Sequence, residues 1–137
     1  MESDDDALDT HGVLGVLVVE DLPRVQSLLR ELIEEPGRFQ VLGVADTESQ
    51  AIEQFNELHP DAVIVDLSLR QGTGLGVISA VRRDEGGKRP LLIVLTNHAF
   101  PVLETACRNA GADHFLDKSR DFRKVRGLLE AARASAS

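Results

Sequence analysis

Apolar residues fall along this chain in two alternating rhythms, short unbroken runs and stripes of period 3.6, and that alternation predicts a fold. Val13 to Val19 is almost wholly apolar, the pattern of a strand buried on both faces, and it stops at Glu20-Asp21. Pro23 suits a first helical turn, and Val25, Leu28, Leu29, Leu32 and Ile33 form one stripe up to Pro36-Gly37. Phe39 to Val44 predicts a second strand. Thr47 and Gln50 then predict a capping box for a helix carrying Ala51, Ile52, Phe55 and Leu58, which ends before His59-Pro60. Ala62 to Val65 is a third strand, ending at Asp66, and the helix after Gly74 turns Leu75, Ile78 and Val81 inward until Gly86-Gly87. Leu91 to Leu95 is a fourth strand ending at Thr96, followed by a helix with Leu103, Ala106, Cys107 and Ala110 on one face and Gly111 as its cap. Ala112 to Leu116 is the fifth strand, ending near Asp117-Lys118. Val125, Leu128, Leu129 and Ala132 mark a last amphipathic helix.

Strand and helix in alternation define an α/β fold, a doubly wound five-stranded parallel sheet with helices on both faces, because parallel strands need crossover helices. In such three-layer sandwiches the ligand site lies outside the carboxyl ends of the strands. Those ends carry Glu20 and Asp21, Asp66, Thr96 and Lys118.

Composition narrows the class. A chain of 137 residues with 42% hydrophobic content suits one domain. No apolar run approaches the roughly 20 residues of a membrane span, and the acidic N-terminus is unlike a secretory signal, so a cytoplasmic protein is expected. The net charge is −8, but Glu2, Asp4, Asp5, Asp6 and Asp9 precede any Lys or Arg, and setting those five aside leaves −3. That balance argues against nucleic-acid binding through bulk charge. Residues 1–12 are expected to be a disordered acidic leader, 13–133 the folded domain and 134–137 a short tail. The single cysteine, Cys107, lies in an apolar helical pattern that suits packing.

Three carboxylates at one rim repel one another and call for a bound cation or an ammonium nearby. An all-oxygen acidic site suits Mg²⁺, which binds through one or two carboxylates together with water and phosphate oxygens. Lys118 supplies a fixed positive charge and Thr96 a hydroxyl, so that Asp66, alone at the middle of the rim, can serve as nucleophile toward a phosphoryl group. Gly72-Thr73-Gly74-Leu75-Gly76 does not fit a dinucleotide loop, because its third glycine is misplaced and the turn follows strand three. His11, His59 and His114 show no metal-ligand spacing with one another or with Cys107. Arg123, Lys124 and Arg126 are expected to form a solvated face.

The acidic pair Glu20-Asp21, Asp66 with Gly74 downstream, Thr96, Lys118, and Phe115 three residues before that lysine stand in one order, each at a strand end. In this the chain resembles the receiver domain of two-component response regulators, the CheY-like fold, over about residues 13 to 133. The resemblance implies the flavodoxin-like strand order 2-1-3-4-5. It implies that Asp66 accepts a phosphoryl group from a histidine of a sensor kinase or phosphotransfer protein. It further implies that Asp21, Asp66 and the backbone carbonyl of Ser68 ligate Mg²⁺, with Glu20 acting through water, and that Thr96 and Lys118 bind the phosphoryl oxygens. Thr96 and Phe115 would form the switch that remodels the face of helix four, strand five and helix five for a protein target. Ser68 and His98 hold the positions that tune phosphoryl lifetime.

This chain departs from the family pattern at several of those positions. Glu20 replaces the first aspartate, Phe115 lacks a tyrosine hydroxyl, and Arg70 and Ser119 stand where relatives commonly carry proline. Arg70 is expected to loosen its loop and add a cation, and Ser119 to remove a constraint after Lys118. Three function classes follow: a phosphorylatable switch without enzymatic activity beyond its own phosphorylation and dephosphorylation, a phosphorylation-independent interaction module, and a metal-dependent phosphatase. The last lacks an acid/base aspartate two residues beyond the nucleophile, where Ser68 stands. The few residues after Arg133 suggest a stand-alone regulator.

Overall fold

The computed structural model describes residues 11–84 and 87–135. Most of the expected leader, Gly86 and the last two residues of the chain lie outside them. The elements alternate as β1 (Leu14–Val19), α1 (Pro23–Ile33), β2 (Phe39–Ala45), α2 (Glu48–Leu58), β3 (Ala62–Val65), α3 (Gly74–Arg83), β4 (Leu91–Thr96), α4 (Pro101–Ala110), β5 (His114–Asp117) and α5 (Lys124–Ser135). All strand pairs are parallel, in the order β2-β1-β3-β4-β5. The chain direction across the sheet therefore reverses between β1 and β3, the place where such sheets open a crevice.

Two apolar layers hold the sandwich. Leu17, Val19, Val63, Val65, Leu92 and Val94 face α2, α3 and α4, where Phe55, Ile78 and Cys107 pack. Val16, Val18, Ile64, Ile93 and Leu95 face α1 and α5, where Leu29, Ile33, Val125 and Leu129 pack. Each such fully buried Val, Leu or Ile contributes roughly 1.5–3 kcal/mol. Cys107 is buried among them, and burial pushes its thiol above the ordinary range. Among the described residues no helix is long and apolar enough to cross a membrane.

The element boundaries differ from the sequence pattern where capping intervenes. The fifth strand begins at His114, because Gly111, at φ 117°, and the Ala112 N–H, donating to Cys107 O at 2.9 Å, close α4 first. Leu28 leaves the predicted stripe and is 43% exposed. It precedes Leu29 by about 100° around the helix, which turns it to the outer edge of α1. The predicted capping box forms by half: Gln50 N–H donates to Thr47 Oγ1 at 3.1 Å, but the Gln50 side chain accepts from Asp46 N–H, not from Thr47. Arg126 is no part of a solvated face. Its guanidinium donates to Leu32 O, pairs with Glu35 and stacks over the Phe39 ring at 4.5 Å, tying α5 to the turn after α1. Gly12 and His11, at the end of the expected leader, touch α5 through Arg133 Nε donating to Gly12 O at 2.8 Å and His11 Nε2 against Ala134 O at 3.1 Å.

Candidate functional site

Strand register assembles the site. Val19 pairs with Val65, so Glu20 and Asp66 emerge side by side one step later, and Asp66 N–H donates to Val19 O at 2.9 Å. Thr96 pairs with Asp117, and Lys118 N–H donates to Thr96 O at 2.8 Å. From that end of the sheet the Lys118 side chain reaches the other two: Nζ lies 2.8 Å from Glu20 Oε1 and 2.9 Å from Asp66 Oδ2. All three side chains are at least nine-tenths buried. Asp21 stands beside them half-buried, and one carboxylate oxygen from each of Glu20, Asp21 and Asp66 lies within 4.8 Å of the others.

The electrostatics of this group do not balance within it. Burial raises the Glu20 carboxyl above its ordinary value, although Lys118 and the Leu22 N–H, 3.0 Å away, both oppose the shift. For Lys118 burial is the largest single influence and acts downward, yet the hydrogen bonds and charges of Glu20 and Asp66 outweigh it and raise the ammonium above its ordinary value. Three carboxylates against one ammonium leave an excess of negative charge in a largely dry site. Asp66 Oδ1 is buried and, among the described residues, has no hydrogen-bond partner. An unpartnered buried carboxylate oxygen is costly by itself and is the expected state of an oxygen that awaits a cation or an electrophile. The donor set, all hard oxygen, fits Mg²⁺.

The remaining predicted residues gather around this centre. Thr96 is fully buried, with its Oγ1 accepting the His98 N–H at 3.1 Å. Phe115 is half-buried against the α2–α4 layer and pairs in register with Val94, two residues before Thr96, so Thr96 and Phe115 are diagonal neighbours on one face. Ser68 and His98 are both exposed and line the same mostly apolar groove of ≈ 380 Å³, with Leu75 and Leu103. His11 and His114 lie apart from the site, along a cleft at the amino ends of the strands.

Three supports were not apparent from sequence. A Cβ on Gly74 would lie 2.2 Å from the carbonyl oxygen of Asp66, so the first residue of α3 must be glycine for the helix to seat against the acceptor. Asp117 and Asp121 lock the turn that carries Lys118. Asp117 Oδ1 accepts Ser119 N–H, Ser119 Oγ–H and Arg120 N–H at 2.9, 2.7 and 3.1 Å, while Asp121 accepts Asp117 N–H at 3.0 Å. The constraint expected to be lost with Ser119 is thus supplied by an amide that proline does not have. The signal for it was two aspartates four residues apart in a short loop. Arg70, expected to loosen its loop, is instead held by Asp46, with Nε and a terminal nitrogen each 3.2 Å from a carboxylate oxygen.

Asp121 also fixes a pH dependence. The Asp117 N–H, then Arg120 and Lys124, hold its carboxyl down from 3.8 to about 2. A depressed carboxyl gives stability that is present above the unfolded value and lost as pH falls through the folded one. An Asp121→Asn variant is therefore predicted to lose stability at neutral pH and to show a shallower decline between about pH 4 and pH 2. Parallel acid-unfolding curves of equal slope for variant and parent would contradict this.

These features define a class of protein. Residues 16–130 match the family model described as the response regulator receiver domain, and the chain belongs to that family, whose members serve two-component signalling. Among individual relatives, it is 33% identical over 122 residues to the nitrate/nitrite response regulator protein NarP of Escherichia coli K12, covering 88% of this chain and 54% of that protein. It thus spans about half the length of that relative. Among solved structures, a two-component response regulator of the LuxR family from Aurantimonas superposes with a TM-score of 0.79 at 26% identity, over 89% of this chain and 86% of that one. The receiver domain of the Pseudomonas aeruginosa sensor histidine kinase PA1611, solved with a magnesium ion coordinated in its active-site cleft, shares the fold at a TM-score of 0.76 and 24% identity, over 89% of this chain and 98% of that one.

Proposed function

We propose that this receiver domain takes a phosphoryl group onto Asp66 from a phosphohistidine of a sensor kinase or phosphotransfer protein, in the cytoplasm, and then presents a changed surface to a protein target. The observation that carries the reading is the pairing of Lys118 with Glu20 and Asp66 while Asp66 Oδ1 has no partner among the described residues. In the transfer the phosphorus–nitrogen bond of the donor breaks, its electron pair returning to the imidazole, as a carboxylate oxygen of Asp66 bonds to phosphorus. Asp21, Asp66 and the Ser68 carbonyl would hold Mg²⁺, with Glu20 acting through water; when bound, the ion neutralises phosphoryl oxygens that the acidic site would otherwise repel. Lys118 offers its ammonium to a second phosphoryl oxygen, and Thr96 its hydroxyl to a third.

The Thr96 hydroxyl is held by its oxygen, with its O–H left to donate elsewhere. Its Oγ1 accepts the His98 N–H, so a rotation of the side chain toward a phosphoryl group gives up that contact with His98. Phe115, with no hydroxyl of its own, follows by packing alone into the space beside Thr96. The output surface lies on α4, β5 and α5, where Phe100 and Val102 are 57% and 75% exposed. Ser68 and His98, at the mouth of the groove beside the acceptor, govern water access and hence lifetime. We read residues 13–133 as one domain, a signalling module and not an enzyme.

Incubation with acetyl phosphate and Mg²⁺ tests the reading. Acid-stable but base-labile and hydroxylamine-labile labelling, abolished by EDTA, is the expected result. No labelling would support a phosphorylation-independent module, and continued release of phosphate from added esters would support a phosphatase. A Ser68→Ala, His98→Ala variant is expected to change the phosphoryl half-life, and an unchanged half-life would remove both residues from that role.

A further inference from the structure

Residues 67–73 join Asp66 to α3 and carry Ser68, whose carbonyl belongs to the proposed cation site. They are fastened to the turn between β2 and α2. Arg70 N–H donates to Asp46 O at 3.2 Å, and the Arg70 guanidinium grips both oxygens of the Asp46 carboxylate. One residue on, Gln71 O accepts the Glu48 N–H at 2.9 Å, and Thr47 and Gln71 form a parallel bridge. The Glu48 carboxylate then accepts the Thr73 N–H at 2.9 Å. Gly72, at φ 80°, and Gly76 lie so close to Glu48 that a Cβ on either would overlap its side chain.

We propose that Arg70, through Asp46 and with Glu48 beside it, is a positioning residue that fixes the Ser68 carbonyl for a divalent cation. The inference rests on the receiver reading above. A half-exposed ion pair contributes little stability by itself. Here it adds to a backbone bond between the same two residues and lies beside the Glu48–Gln71 bond, so its effect falls on geometry, which governs a metal site more than net stability does. Charge and position predict opposite outcomes. Arg70 lies within electrostatic reach of Asp21, so its guanidinium opposes a cation there. If charge were its whole effect, removing it would tighten cation binding; if it positions the loop, removing it weakens binding.

The test is calorimetric titration of Mg²⁺ into the unphosphorylated full chain. Arg70→Met and Asp46→Asn are each expected to weaken binding about three- to tenfold, at or below the low end of what outer-shell partners of a metal command. Faster amide exchange at residues 68–71, with the rest of the domain unchanged, should accompany the loss. The exchanged pair, Asp46→Arg with Arg70→Asp, is expected to recover most of it. Equal or tighter binding by Arg70→Met, or no recovery in the exchanged pair, overturns the inference while leaving the receiver reading intact. A parent chain that binds no Mg²⁺ overturns both.

Discussion

Gly74→Ala is expected to destabilise the domain by about 3 kcal/mol, lowering its thermal midpoint by roughly 10 °C. The cause is local. The added methyl would meet the Asp66 carbonyl oxygen at 2.2 Å, the Asp66 carbonyl carbon at 2.9 Å and the Leu67 Cα at 2.9 Å, all backbone atoms that no rotamer change relieves. The helix must lift or the acceptor must move, and either breaks the Gly74 N–H bond to Leu67 O. Mg²⁺ affinity and Asp66 labelling should therefore fall together with stability. A Gly74→Ala chain that melts with the parent and labels at the parental rate would contradict the packing described here. At Gly127 an added Cβ would meet nothing within 4 Å among the described residues outside its own stretch of helix, so Gly127→Ala serves as the matched control and is expected to be neutral or slightly stabilising within its helix.

Lys118→Met is the second large effect. It leaves Glu20 and Asp66 buried side by side with no ammonium between them, and removing one partner from a buried ionic group typically costs about 3 kcal/mol or more. The loss should depend on pH in a defined direction. Glu20 is already raised above 4.5 by burial, against the opposing pull of Lys118. Without that pull it rises further, and a carboxyl whose folded value exceeds its unfolded one gives stability below the unfolded value that is lost as pH rises through the folded one. The gap between variant and parent should widen as pH rises above about 4.5 in the absence of metal, and added Mg²⁺ should narrow it. Adding Asp66→Asn to Lys118→Met should restore stability, because it removes one of the two facing charges. A gap independent of pH and of Mg²⁺ would show that Lys118 contributes by packing alone.

The strand ends were legible because burial on both faces writes a strand as an unbroken apolar run, and the run stops where the backbone leaves the sheet. Glu20, Asp66, Thr96 and Lys118 could be located that way, and the structure places all four at one end of the sheet. What holds them there was less legible. Gly74 gave no hint of the carbonyl beneath it, since the contact depends on how α3 lands on the sheet. Arg70 and Asp46 are 24 residues apart, and no period in the sequence connects them. Ser119 was visible only as a missing proline, whereas the turn uses its N–H and its hydroxyl. Leu28 belongs to the predicted stripe by its spacing, but only the sheet beneath α1 decides which part of a broad apolar stripe is covered.

Mapping the modified residue decides whether Asp66 receives the phosphoryl group. The chain would be labelled with acetyl phosphate and Mg²⁺, treated with hydroxylamine, and digested for peptide mass analysis. Hydroxylamine converts an acyl phosphate to a hydroxamate, so the carboxyl that carried phosphorus is marked covalently. A single hydroxamate is expected, at Asp66, and none in Asp66→Asn. A hydroxamate at Glu20 or Asp21 in the parent chain, or undiminished labelling of Asp66→Asn, would contradict it.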